Sequence, residues 1–235
     1  MEQERKENLD KAKKSLVWVG IASIVMMFAG LTSAMVVLQD DYFWVRTALP
    51  SMFVVSSAII LVSSLSMWWA VRAGKRNQQK NVLLGLAITM LLGLAFSYTQ
   101  YLGWGKLVSE GRFFVGHVSD LKGTYGEDYL IIKRGKPLLS VDGNFYAPDD
   151  LSFSRPLNEK VDAAFNISSS FLYVISGLHL VHLAGGLIAL LVTILAAYRG
   201  KYNQNNTTGL EVSAIYWHFL GALWIYLYLF FLFIR

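Results

Sequence analysis

The sequence predicts an all-α membrane protein, a five-transmembrane-helix bundle with a ~60-residue extracytoplasmic insertion between helices 3 and 4. Three observations predict it. The 235 residues are 54% hydrophobic and only 16% charged, too apolar for a soluble domain of this size. Five apolar stretches each reach the roughly 20 residues that a helix needs to cross a hydrocarbon core of about 30 Å. The basic residues gather between those stretches, where they set topology. Other classes fall away on composition. Cysteine is absent, which removes disulfides, thiolate metal sites and a cysteine nucleophile. The formal charge of +5 is distributed between spans and does not point to nucleic acid. No cleavable leader is expected, because the first apolar run is about twice the length of a signal-peptide core.

The spans are expected at 16–38, 47–70, 82–104, 169–198 and 210–234. Backbone groups in lipid must be satisfied within the segment, so each is read as helix; the alternation of a transmembrane β-strand is missing. Arg5, Lys6, Lys11, Lys13 and Lys14 precede span one. Arg72, Lys75, Arg76 and Lys80 link spans two and three, and Arg199 and Lys201 link spans four and five. The opposite short link, 39–46, holds two aspartates and one arginine. The positive-inside rule puts the amino terminus in the cytoplasm and Arg235 outside. Trp18, Trp44, Trp68, Trp69, Trp104 and Tyr198 fall near span ends, as an aromatic belt would. The whole chain, 1–235, is read as a single membrane domain that contains the insertion.

Residues 105–167 form that insertion, nearly neutral with eight basic and nine acidic residues. Segments 129–133 and 138–141 flank Arg134-Gly135-Lys136-Pro137, and Asp142-Gly143-Asn144 follows, which predicts a small hairpin with turn chemistry on either side. A loop this long is more often a cap or a docking surface than an idle linker. His117, within it, reads as a solvated residue. No internal repeat is visible.

The last two spans carry His179, His182, Glu211 and His218. Ionisable groups cost several kcal/mol in a bilayer unless they find partners. Counting about 1.5 Å per residue, His182 lies roughly 20 Å from the outer end of span four. His218 lies roughly 12 Å from the inner end of span five, at nearly the same level. Adjacent helices could bring the two together, with His179 one turn from His182 on the same face. Three readings compete. A haem or metal site suits imidazole, but no carboxylate, Cys or Met motif completes a ligand set. A proton path needs a relay that does not continue outward from His182. A structural role, with hydrogen bonds between helices worth about 0.6 to 2 kcal/mol each, needs nothing more. Gly85, Gly93, Gly177, Gly185, Gly186, Ser63, Ser64 and Ser66 support close helix packing. Glu211 is expected to cap the first turn of span five, where the helix dipole favours an anion. Arg199, with Tyr198 and Lys201, suits a lipid phosphate; Trp68, Trp69 and Arg72 are further lipid contacts on the cytoplasmic face.

At these residues the sequence resembles subunit III of the haem–copper oxidases, the cytochrome c and quinol oxidase family. Gly177-Leu178-His179-Leu180-Val181-His182 resembles its Gly-x-His-Gly-x-His segment. Gly209, Glu211 and Tyr216-Trp217-His218-Phe219, continued by Trp224, resemble its last-span motif. Ser63-Ser64 resembles its paired serines, and Leu92-Gly93, Phe96 and Gln100 a run in its third span. The five-helix form is similar to many bacterial versions. There are departures. Ser23 is followed by Ile24 where the family commonly has an acid, Gly103 replaces a glutamate, and Gly221 replaces an aspartate. The resemblance implies a non-redox accessory subunit, without catalytic, cofactor-binding or metal residues of its own. It would pack against oxidase subunits I and II, which hold the haem and copper, and bind phospholipids. The whole complex would reduce oxygen to water and pump protons in the bacterial inner membrane. The insertion is then a candidate contact for a cytochrome c domain or a neighbouring respiratory complex, and deleting 120–160 is expected to weaken that association. Three rivals remain: an accessory subunit of a nitric oxide reductase, a self-contained bis-histidine haem cytochrome, and a transporter, against which the unbroken, unrepeated helices argue.

Overall fold

The computed structural model describes residues 1–202, 204 and 206–234; for residues 2, 3 and 6 it describes the backbone alone. Arg235, expected on the far side of the membrane, lies outside the described residues. The order is α1 (Glu2–Asp41), β1 (Trp44–Thr47), α2 (Met52–Lys75), α3 (Gln79–Ser109), β2 (Tyr129–Lys133), β3 (Lys136–Pro137), β4 (Leu139–Val141), β5 (Asn144–Tyr146), α4 (Asn158–Asp162), α5 (Ile167–Tyr198) and α6 (Thr208–Ile234). Five helices, α1, α2, α3, α5 and α6, are long and apolar enough to cross a membrane. The all-α membrane architecture is therefore as expected.

The ends of α2 and α3 each run five residues past the sequence expectation, to Lys75 and Ser109, and two starts differ from it by as much or more. Helix α1 begins at Glu2, not near residue 16. Its first turns are rich in Glu, Lys and Arg, strong helix formers that a hydropathy reading does not see. Helix α2 begins at Met52, five residues later than expected. Pro50 biases Leu49 away from helical backbone, and Trp44–Thr47 pairs as a strand instead.

That strand is the larger surprise. β1 lies in the short link between α1 and α2, yet it pairs antiparallel with β2 of the insertion, Trp44 opposite Ile132 and Val45 opposite Ile131. Side chains alternate faces along a strand. Trp44 and Ile132 join the core of the bundle, while Val45 and Ile131 join a second apolar cluster with Val118, Leu138 and Val161. The two-strand floor thus has a core on each face. Trp44, expected in an aromatic belt, is 1% exposed inside the protein. Trp104, expected there too, donates Nε1 to Ser176 Oγ across the α3–α5 seam at 3.1 Å.

The expected single hairpin is two. β2 turns into β3 across Arg134-Gly135, and β4 turns into β5 across Asp142-Gly143. All four turn residues have positive φ (51°, 74°, 51° and 78°), the signature of a type I′ turn. Glycine at each second position carries that backbone without strain.

Candidate functional site: the polar seams around the last helix

Helix α6 packs against α1, α2 and α5, and α3 closes the bundle against α2 and α5. The consecutive residues Tyr216, Trp217 and His218 reach two neighbours. Tyr216 donates its hydroxyl to the His182 carbonyl of α5 at 3.2 Å. Trp217 donates Nε1 to Ser63 Oγ of α2 at 2.9 Å. His218 Nδ1 pairs with Ser64 Oγ, also on α2. About two turns on, Trp224 donates Nε1 to Ser57 Oγ at 3.0 Å. The paired serines and the aromatic–histidine motif are thus two halves of one seam. Hydrogen bonds elsewhere tie Thr193 to Ser213 (2.6 Å, α5–α6), Tyr226 to Thr32 (3.2 Å, α6–α1) and Gln100 Nε2 to Ser56 Oγ (2.8 Å, α3–α2).

The three histidines find different surroundings. His218 bonds between helices, as expected of all three. His182 pairs through Nδ1 with the Leu178 carbonyl of its own helix at 2.7 Å, and its ring meets Phe28 of α1 edge-on at 5.8 Å. His179 is fully buried and neither ring nitrogen is hydrogen-bonded. It lies between Phe96 of α3 (centroids 5.8 Å apart) and Trp224 of α6 (5.3 Å), so it packs as an aromatic where a bond was expected. His182 and His218 do not share a partner. Among the described residues no three His, Cys, Asp or Glu side chains are grouped to hold a metal ion.

Glycines set the spacing. A Cβ on Gly93 would lie 2.6 Å from Trp217, on Gly85 2.9 Å from Ala70, and on Gly186 2.7 Å from Leu220. Gly177 and Gly185 have only ordinary contacts, at 3.9 Å. Gly103 leaves room for the ring of Phe53, 2.6 Å from where its Cβ would be. The space that a glutamate would need is filled by a phenyl edge.

Glu211 does more than meet the helix dipole. It accepts from Thr207 Oγ1 at 3.2 Å at the start of α6, and it pairs with Lys14 of α1 at 2.6 Å and Lys75 of α2 at 3.1 Å. One carboxylate therefore gathers three helices at the amino-terminal end of α1. The amino-terminal segment, the α2–α3 link and the α5–α6 link share that end, as the charge pattern requires; Gln79 Nε2, bonded to the Ala197 carbonyl at 2.8 Å, ties in the last two. Sequence reading missed Lys14 and Lys75 as partners, since nothing local joins residues so far apart in the chain.

The four expected lipid contacts do not form one site. Trp68, Trp69 and Arg72 are exposed on α2, with the Arg72 guanidinium 5.3 Å from the centre of the Trp68 ring. Arg199 is exposed at the end of α5, a helix that α2 does not chiefly contact.

At the other end the sequence also missed Arg112, which follows α3 and is 4% exposed. Burial pulls its pKa down to about 10, against the opposing effect of Glu110, so it stays charged at neutral pH.

Fold and seams define a polytopic α-helical membrane bundle whose spans are bolted together by buried polar and aromatic groups. A family model described as cytochrome c oxidase subunit III matches residues 153–234, the segment that holds α5 and α6. Proteins named "Cytochrome c oxidase subunit 3" match as well. The one from Artemia franciscana is 26% identical over 174 residues, 74% of this chain and 47% of that protein. The one from Oryctolagus cuniculus is 21% identical over 173 residues, 74% of this chain and 46% of that protein. The one from Drosophila yakuba is 35% identical over 75 residues, 30% of this chain and 29% of that protein. The chain is thus similar to subunit III of the haem–copper oxidases, with the family-model match confined to residues 153–234. It spans about half the length of the curated relatives it matches.

Proposed function

We propose that this chain is a non-redox accessory subunit of an aerobic respiratory terminal oxidase, a cytochrome c oxidase in which other subunits carry haem and copper. The names of its relatives support that reading. The observation that carries it is the use made of the motif residues. Trp217, His218 and Tyr216 are spent on helix-to-helix bonds, and His179 is enclosed by Phe96 and Trp224. Such groups hold a scaffold together; they leave few ends for chemistry. The scaffold would pack against the catalytic subunit, with subunits I and II as partners, and reside in a bacterial inner membrane with the amino terminus in the cytoplasm. The whole of 1–235 acts as one membrane unit, with 105–167 as its outer insertion. His179, His182, Glu211 and His218 are its internal fastenings. Trp68, Trp69 and Arg72 form one phospholipid patch and Arg199 another, both suited to snorkelling cations and interfacial aromatics. The insertion docks a cytochrome c domain or a neighbouring complex.

Purification of the native assembly tests the reading. Co-purifying chains identified by mass spectrometry, with an optical spectrum and metal analysis, should give haem and copper in partner chains. Non-haem iron in the partner would point to the nitric oxide reductase rival, which the comparisons do not favour. A haem Soret band from the isolated chain would overturn the accessory role altogether.

A further inference from the structure

Arg112 presents an unusual electrostatic situation. Its Nε donates to Ser169 Oγ and its Nη1 to the Ala48 carbonyl, both at 3.4 Å, the long limit of a hydrogen bond. Nη2 makes none. Four ion pairs form among the described residues, and Arg112 is in none of them. Glu110, whose charge acts on it, is engaged by Lys106 at 3.6 Å. A guanidinium taken out of water costs several kcal/mol unless a counter-charge compensates it. Such residues are almost never buried without a partner.

Arg112 is among the residues that line a cavity of about 400 Å³ between the end of α3, the β1–β2 floor and the 121–129 loop. Thr47 lines it too, and its Oγ1 is buried without a partner. Lys106 and Lys122, both exposed, line it as well. Guanidinium and ammonium groups offer donors only, and the guanidinium fork matches two oxygens of one anion. Glu110, Glu127 and Asp128 also border the cavity, but Glu110 is paired with Lys106, Glu127 and Asp128 are exposed, and Asp128 already accepts from the Thr124 amide at 2.8 Å. Charges in water are weakly felt, whereas Arg112 acts where the dielectric is low.

We propose that this cavity is an oxyanion site in which Arg112 binds a phosphate group, either free inorganic phosphate or the headgroup of a lipid in the adjoining leaflet. It lies at the opposite end of the bundle from Trp68, Arg72 and Arg199, and nothing in the packing seams requires it.

The test uses the full chain, purified in detergent, with thermal unfolding followed by tryptophan fluorescence. Inorganic phosphate is titrated at constant ionic strength against chloride. In parallel, the chain is placed in nanodiscs of phosphatidylglycerol or of phosphatidylcholine. A saturable rise in midpoint with phosphate identifies the free ion. A higher midpoint in phosphatidylglycerol than in phosphatidylcholine, without a phosphate response, identifies the lipid headgroup. Either response should vanish in Arg112→Gln. Lys122→Gln, an exposed change, should weaken it about fivefold, the effect of one surface lysine on an anionic group. Should Arg112→Gln fail to fold, Lys122→Gln decides, and unaltered half-saturation or lipid dependence overturns the proposal. Absence of both responses in the unmutated chain, or their persistence in Arg112→Gln, also overturns it.

Discussion

Substituting Gly93 by alanine tests whether the α3–α6 contact is set by the absence of a single methyl group. The added Cβ would lie 2.6 Å from Cη2 and 3.1 Å from Cζ2 of Trp217, where ordinary contact begins at 3.4 Å, so about 0.8 Å must be found. Leu187 Cδ2, at 2.9 Å, is the end of a flexible side chain and can yield. Trp217 cannot yield freely. It is 2% exposed, and its Nε1 is held by Ser63 Oγ at 2.9 Å. Overpacking of this kind costs about 1 to 3 kcal/mol, and losing the indole bond about 0.6 to 1.7 kcal/mol more. The expected destabilisation of Gly93→Ala is therefore roughly 2 to 5 kcal/mol. Reversible unfolding of the purified chain in mixed micelles, read by steric trapping or a denaturing-detergent titration, would measure it. Gly30→Ala is the control, since a Cβ there meets nothing within 4 Å; it should change stability by less than about 1 kcal/mol. Adding Trp217→Phe to Gly93→Ala should recover part of the loss by removing the clashing atoms. If Gly93→Ala proves as stable as the unmutated chain, the close approach of α3 to the Trp217 ring is not what spaces these helices.

Glu211→Gln should lower stability by about 1 to 2 kcal/mol, after discounting two half-exposed lysine partners at about 0.5 to 1 kcal/mol each. Double-mutant cycles with Lys14→Met and Lys75→Met would show coupling that fades in high salt; strictly additive effects would disprove the three-helix junction. Ser64→Ala and His218→Phe should each cost about 0.6 to 1.7 kcal/mol and be non-additive, because both remove the same α2–α6 bond, and equal cost of the pair and the sum would count against it. Asp150 accepts from the Ser152 hydroxyl and from the Ser154 and Arg155 amides, which holds its carboxyl below the usual range. Its ordering of the 150–155 turn is thus fully present above the unfolded pKa and is lost as pH falls through the lowered native one. A carbon-detected NMR titration of this carboxyl should give a midpoint below the ordinary aspartate value, and an ordinary midpoint would contradict the bonding.

The identity of the spans was legible because lipid imposes a length and a composition on any helix that crosses it. Four of the five expected spans overlap their observed helices to within a few residues at most ends, and the errors have local causes. The start of α1 was hidden by charged residues that favour helix without being apolar. The start of α2 is later than hydropathy suggests because Trp44–Thr47 pairs as a strand with the insertion, about 85 positions away in the chain. The turn dipeptides Arg134-Gly135 and Asp142-Gly143 were visible, but which strands they joined depended on register, and register is settled by which face each side chain buries.

Within the candidate site, the sequence marked Tyr216 to His218 and Ser63-Ser64 as polar groups that a bilayer would not leave alone, since their desolvation must be compensated somewhere. What it could not state was the partner of each. Two groups of equal depth, His182 and His218, were equally plausible as a pair, yet the rotation of α6 turns His218 toward Ser64 and leaves His182 to its own helix. Likewise Arg112 read as one more loop cation, and only the floor made by β1 and β2 takes it out of water. The sequence by itself therefore determined the membrane class, the number of spans and the list of polar groups in need of partners, because hydrophobic length and charge are local properties. Tertiary structure alone decided who pairs with whom, which tryptophans face inward and which arginine is left uncompensated, because those depend on helix rotation and on contacts between segments far apart along the chain.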